Sequence, residues 1–398
     1  MTRCATWRLG LFMVVALQAT AQAGPGYNFV KLVDHAEDNF GPRTLTCASL
    51  NEAGEVAFKA TRSAPDGLSS WDFIGRVNRA GVITTIVEDP EKTQFQFFGN
   101  SVSINDSGQV AFGAVLTNET QEIIRANGIS MTTIASNAGT FDSFGLEPSM
   151  NNAGEVAFTA SLDSGDQGLF SGTGGPTTTH YTGATPVLID GVLTDLLGGN
   201  FGRPAINNTG GEIAFHDRIE PDFTEGIFAG RSGVFRTLGP TDRVYNGAGD
   251  RGDANINDLG IGAFESSFVN DAGQFVTAIT TSNQGVLSTV ADTLNGYSGF
   301  GFYSPAINNR GQVAFRGFLN DFQTDGIFTG PNPKKDVIIT SKDRLDGARI
   351  ISVSFSFCTE GLNNAGEVAF IVDVLDDARI EGFRTVLYLA SPRKPLAP

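Results

Sequence analysis

Histidines, cysteines and grouped carboxylates build most active sites and metal centres, and this 398-residue chain has few in a useful spacing. Its three histidines, His35, His180 and His216, form no H-x-H or H-x-x-x-H pair that would aim two imidazoles at one zinc ion. No G-x-S-x-G turn, Walker loop or dinucleotide fingerprint occurs. Paired acids such as Glu37-Asp38 and Asp376-Asp377 fall in segments that read as loops, where solvation explains them. Asp253, Asn255 and Asn257 alternate as ligands do in an EF-hand loop, which makes Ca2+ the one cofactor with a candidate site. Asp258 stands where that loop needs Gly, and Phe264 where it needs Glu, so a solvated polar loop is the plainer reading. Arg251-Gly252-Asp253 has the form of an adhesion tripeptide, which a chain this long acquires by chance.

The elements that position these residues are set by a repeat. The octapeptide Asn-x-x-Gly-x-Val-Ala-Phe occurs as NEAGEVAF at Asn51, NDSGQVAF at Asn105, NNAGEVAF at Asn151, NNRGQVAF at Asn308 and NNAGEVAF at Asn363. Two degraded copies stand between them: NNTGGEIAF at Asn207, with one residue inserted, and NDAGQFVT at Asn270. A further match, NDLGIGAF at Asn257, is read as a false copy, because Gly285-Val286-Leu287 follows Asn270 at 15 residues but would lie 28 from Asn257. The seven copies are 54, 46, 56, 63, 38 and 55 residues apart, a mean of 52. Units of that size share one core rather than forming separate domains.

Asn at the first position and Gly at the fourth suit a type I turn, in which the Asn side chain accepts a backbone N–H and Gly takes positive φ. The turn residues are Asn51 with Gly54, Asn105 with Gly108, Asn151 with Gly154, Asn270 with Gly273, Asn308 with Gly311, and Asn363 with Gly366. Asn207 holds the same place in the variant copy. Strand-like residues flank each turn, as Ser101 to Ile104 and Val110 to Leu116 do. A Gly-Ile-Phe signal follows, as at Gly226-Ile227-Phe228, and then a β-branched run such as Ile83 to Val87. Each unit therefore holds four strands. In Val56-Ala57-Phe58 the large residues face one way and the small one the other, which suits a sheet covered on both faces. Such sheets stacked around an axis make an all-β, seven-bladed propeller.

Closure is legible too. The last unit lacks a fourth strand, and Tyr27 to Asp34 reads as an orphan one. The N-terminal strand is therefore expected to complete the last blade. Cys47 lies four residues before the first motif Asn and Cys358 five before the last, so a closed ring brings them side by side. An oxidising compartment would link them as a disulfide.

Residues 1–23 read as a signal peptide: Arg3 and Arg8, then Leu9 to Leu17, then Ala21-Gln22-Ala23. Cleavage near Ala23 would leave a propeller over 24–390 and a polar, Pro-rich tail over 391–398. Cys4 would leave with the leader. No other stretch is long and apolar enough to span a membrane. The formal charge of −16 becomes −18 once Arg3 and Arg8 are lost, which argues against nucleic acid and anionic membranes as partners.

The repeat resembles that of a bacterial secreted tandem-repeat family named for its NxxGxxAF motif, whose members carry varied C-terminal anchors. It is also similar to extracellular HAF-type repeats. The resemblance covers nearly all of residues 24–390 and implies export, with no assigned catalysis. Many members end in a sorting signal, which the tail SPRKPLAP does not resemble. The expected protein is a secreted, monomeric, non-enzymatic propeller that binds an extracellular ligand or surface partner. The alternatives are a propeller hydrolase or lyase acting on polysaccharide, and a calcium-dependent adhesin.

Overall fold

The computed structural model describes residues 26–64, 69–198, 202–245, 253–301, 304–321, 323–355, 358, 360–375 and 382–393. The leader, the tail beyond 393 and Asp250-Arg251-Gly252 lie outside them. The described residues form seven sheets, each built on antiparallel ladders, and no helix. Blade one runs outward through Thr46–Leu50, Val56–Ser63, Ser70–Val77 and Ile83–Glu88. Blade two repeats the order with Phe95–Ile104, Val110–Leu116, Gln121–Ala126 and Met131–Ser136. These are the pre-motif, motif, Gly-Ile-Phe and β-branched strands that the repeat predicts.

The core sits in seven seams between blades. Val56 and Phe58 pack with Ala369 and Leu387 of blade seven, whereas Ala57 of the same strand packs with Val110 and Phe112 of blade two. The pattern recurs around the ring. Ala111 meets Phe158, Ala157 meets Phe215, Ala214 meets Phe264, Ala263 meets Phe315, and Ala314 meets Phe370. One blade's small residue admits the next blade's ring. Each fully buried Phe contributes about 1.5–3 kcal/mol of transfer free energy. The Gly of the third strand leaves room for the Phe of its own strand: a Cβ at Gly226 would lie 2.5 Å from the Phe228 ring.

Closure follows the expected exchange. Tyr27–Asp34 pairs with Phe383–Pro392, which pairs with Val368–Leu375. The N-terminal strand is the outermost of blade seven, so the first and last elements share one ladder. Cys47 and Cys358 form a disulfide across the blade-one and blade-seven seam, with their Cα atoms 5.3 Å apart.

Two features depart from the repeat. Blade four is six-stranded, because the hairpin Val187–Ile189 and Val192–Thr194 adds to its outer edge, with Val187–Ile189 parallel to Val234–Gly239. In blade five, the turn leading from the inner strand Ala254–Ile256 to Gly262–Val269 is the one at Asn257. The Asn270 turn joins the next pair, Gly262–Val269 and Phe275–Asn283. Asn257 is therefore the fifth motif and Asn270 is not. Asn270 and Gly273 form the same local turn, with Asn270 Oδ1 accepting from Gln274 N at 2.9 Å and Gly273 at φ 74°. Local turn chemistry could not separate the two sites. Spacing could have, since Asn257 divides the 207–308 interval into 50 and 51 residues.

Candidate functional site

The inner strands run between two ends of the central channel. At the end where they finish, every motif Asn accepts at Oδ1 from the backbone N–H that closes its turn, at 2.9–3.0 Å. The fourth-position glycines complete the turns. Gly54, Gly108, Gly154, Gly311 and Gly366 have φ of 76°, 74°, 78°, 74° and 79°. Each donates its N–H to the carbonyl of its own motif Asn, at 2.9–3.1 Å. Positive φ alone selects glycine at Gly311, where an added Cβ would meet nothing within 4 Å. At Gly54 space matters as well, because a Cβ there would collide with the Arg79 guanidinium. Gly54, Gly311 and Gly366 shape the turns and are not among the residues lining the two channel cavities.

At five of the seven joints the motif Asn also donates from Nδ2 to the carbonyl of the next blade's motif Asn. The following residues make a second, complete ring. Backbone N–H groups donate to side-chain oxygens from Glu52 to Asp106, Asp106 to Asn152, Asn152 to Asn208, Asn208 to Asp258, Asp258 to Asn309, Asn309 to Asn364, and Asn364 to Glu52. Burial pushes the Glu52 carboxyl above its usual range, and the Asn364 N–H works against that. Arginines of the preceding blade tie down the turn glycines: Arg76 to the Gly108 carbonyl, Arg125 to Gly154 and Arg236 to Gly260. This end is a cross-linked collar around a space of about 110 Å3.

Deeper in the channel, Glu360 of blade seven gathers hydroxyls from three other blades. Ser49 Oγ donates to it at 2.6 Å, Ser103 at 2.8 Å and Ser149 at 3.4 Å. Each serine in turn accepts a backbone N–H from the next blade: Ile104, Met150 and Ile206. Burial raises the Glu360 carboxyl to about 7, against the lowering effect of the three hydroxyls. The arrangement cross-braces blades one, two, three and seven.

The opposite end, where the inner strands begin, is open. A cavity of about 610 Å3 lies there, built from five blades. Lys59 comes from blade one, Phe97 to Asn100 from blade two, and Gly145 to Glu147 and Thr159 from blade three. Gly202 to Pro204 precede the inner strand of blade four, and Asp253 that of blade five. Arg203 and Asp253 are both buried and joined three ways: Arg203 N to Oδ1 at 2.8 Å, and Nη2 and Nε to Oδ2 at 3.0 and 3.2 Å. Lys59 Nζ donates to the Phe98 carbonyl at 2.7 Å and Asn100 Oδ1 at 3.3 Å, and lies 3.1 Å from Asp72. Phe97 keeps 43% of its surface exposed.

Of the candidate calcium trio, each side chain has a different protein partner. Asp253 serves Arg203, Asn255 Oδ1 accepts from Ile256 N at 2.9 Å, and Asn257 Oδ1 closes the motif turn. Among the described residues no three His, Cys, Asp or Glu are grouped as metal ligands. Ser171, His180 and Glu155 do come together in a line like a catalytic triad, but its polarity is reversed. His180 Nδ1 accepts from Ser232 N at 3.1 Å, so Nε2 carries the proton and donates to Ser171 Oγ at 2.9 Å. Ser171 then donates to Glu155 at 2.6 Å. A general base must accept the serine proton, and this imidazole cannot.

The cavity residues Lys59, Phe97, Asn100, Glu147 and Arg203 were not singled out from the sequence. A signal for one of them exists. The residue after Val-Ala-Phe shares the side of the strand that faces the next blade with Ala, and it varies freely: Lys59, Gly113, Thr159, His216, Glu265, Arg316 and Ile371. Of these, Lys59 and Thr159 line the cavity, whereas His216, Glu265 and Ile371 are buried.

No protein-family model matches the chain, and no curated protein does. Solved structures do, at low identity. An ulvan lyase of a new polysaccharide lyase family, bound to -[GlcA(1-4)Rha3S]-, matches at 10% identity over 92% of this chain and 97% of that chain, with a TM-score of 0.44. The parainfluenza virus 5 hemagglutinin-neuraminidase ectodomain matches at 10% identity over 94% and 85%, with a TM-score of 0.37. The acylaminoacyl peptidase of Pyrococcus horikoshii matches at 10% identity and a TM-score of 0.36, over 85% of this chain and 58% of that chain, so this chain spans under two thirds of its length. Likeness at this level carries no argument about activity.

Proposed function

We propose that the protein is a secreted, non-enzymatic propeller that holds an extracellular ligand in the five-blade cavity where the inner strands begin. The cavity itself carries the reading. Its volume of about 610 Å3 is of the size that ligand sites occupy, and residues from five blades converge on it. The other end of the channel supports the choice of face, because its polar groups are spent on the collar. The disulfide supports export, since such bonds persist in oxidising compartments.

Asn100 is exposed at the cavity and tests the reading. The full chain is screened against glycan and peptide libraries by thermal shift, and hits are repeated with Asn100→Trp, which fills the space. Hits lost in the variant support the reading. Hits that bind the variant equally well, or turnover of a hit, would sink it.

A further inference from the structure

The charged groups lining the cavity are engaged with one another and with Asp72. The lining holds two cations, Lys59 and Arg203, and two carboxylates, Glu147 and Asp253. Lys59 has three ammonium donors, and the Phe98 carbonyl, Asn100 and Asp72 take them. Arg203 is buried against Asp253, and its Nε lies 3.6 Å from Glu147. An anionic ligand entering here would lose hydration with no unengaged cation to replace it. The chain's net charge of −16 would repel a polyanion before it arrived. A cationic ligand would compete with Arg203 for the same two carboxylates. Neutral chemistry meets neither penalty.

The exposed surface of the cavity is of two kinds. Phe97 offers exposed aromatic surface, and Asn100 and the half-exposed Glu147 offer hydrogen-bonding groups in the same lining. A pyranose ring matches this combination. Its C–H face packs on an aromatic ring, and its hydroxyls both donate to carboxylate or amide oxygens and accept from an amide. We propose that the cavity binds a neutral sugar chain, with Phe97 as the stacking platform and Asn100 and Glu147 reading its hydroxyls. This rests on the cavity being the ligand site.

The test uses the full chain in isothermal titration with laminarin and mannan as neutral glycans, alginate and dextran sulfate as anionic ones, and an oligolysine peptide as the cationic probe. The expected result is binding of a neutral glycan that Phe97→Ala weakens at least about tenfold, that Phe97→Trp retains, and that added salt leaves unchanged. Asn100→Trp should abolish it. Binding of alginate, dextran sulfate or oligolysine in place of the neutral glycans, lost in Asn100→Trp, would overturn the neutral-sugar assignment and keep the cavity as the site. A neutral glycan blocked by Asn100→Trp but indifferent to Phe97→Ala would also overturn it. Binding unaffected by any variant, or no binding by any probe, would overturn both.

Discussion

Asn257 donates from Nδ2 to the backbone carbonyl of Asn308, 2.9 Å away, and so links blade five to blade six in the channel collar. Asn270, in a turn of the same local geometry, makes no such link and bonds within its own exposed hairpin. Asn257→Ala should therefore cost about 2–3 kcal/mol, because it strands buried backbone groups, and Asn270→Ala under about 1 kcal/mol. Urea midpoints at constant slope give both values. The opposite ranking would return Asn270 to the ring.

Glu360 makes stability depend on pH. Its folded value of about 7 lies above the ordinary 4.5, so the folded state holds the proton more tightly. The stabilisation is full below about 4.5 and is lost as pH rises through about 7, on the order of 3 kcal/mol. Glu360→Gln keeps the hydrogen-bonding shape without the charge. It should flatten the melting-temperature profile between those limits, and an unchanged slope would contradict the assignment.

His180 acts in the opposite sense. Burial first, and then the nearby Arg231, lower it to about 4. Protonation would turn Nδ1 from an acceptor into a donor facing the Ser232 N–H. Stability from this group is present above about 6.5 and lost as pH falls through about 4. NMR of the imidazole should show neutral His180 with its proton on Nε2 at pH 6. A charged ring at that pH would disprove the hydrogen-bond polarity drawn here.

The Cys47–Cys358 bond spans 311 residues and holds the two ends of the ring together. Its loss should cost about 2–5 kcal/mol, chiefly by freeing the unfolded chain. Cys47→Ser/Cys358→Ser should melt lower than wild type in non-reducing buffer and at the same temperature as wild type in reducing buffer. Equal melting in non-reducing buffer would show that the bond contributes nothing.

Much of the fold was legible because propeller blades are local structures. The alternation of Val56, Ala57 and Phe58 declares two covered faces, and the orphan strand Tyr27–Asp34 declares the closure. The turns at Gly54, Gly311 and Gly366 were legible for the same reason, since positive φ four residues into each motif is a demand of the motif alone. The pairing of Cys47 with Cys358 followed from closure alone. The fifth blade was misregistered because Asn257 and Asn270 satisfy the same turn, and only the ring of neighbours tells them apart. The hairpin Val187–Ile189 and Val192–Thr194 has no counterpart in the repeat, so nothing periodic announced it.

By itself the sequence determined the blade count, the order of strands, the turn chemistry and the seam, since each depends on residues within one repeat or its neighbour. Tertiary structure decided where the surface is open. Phe97, Asn100, Glu147, Arg203 and Asp253 come from blades two to five and meet only because the ring brings the starts of their inner strands together. Convergence of that kind depends on loop paths and not on periodicity. Pairing decided the charge of the site as well: Arg203 and Asp253 are 50 residues apart in sequence, and only their contact makes them neutral.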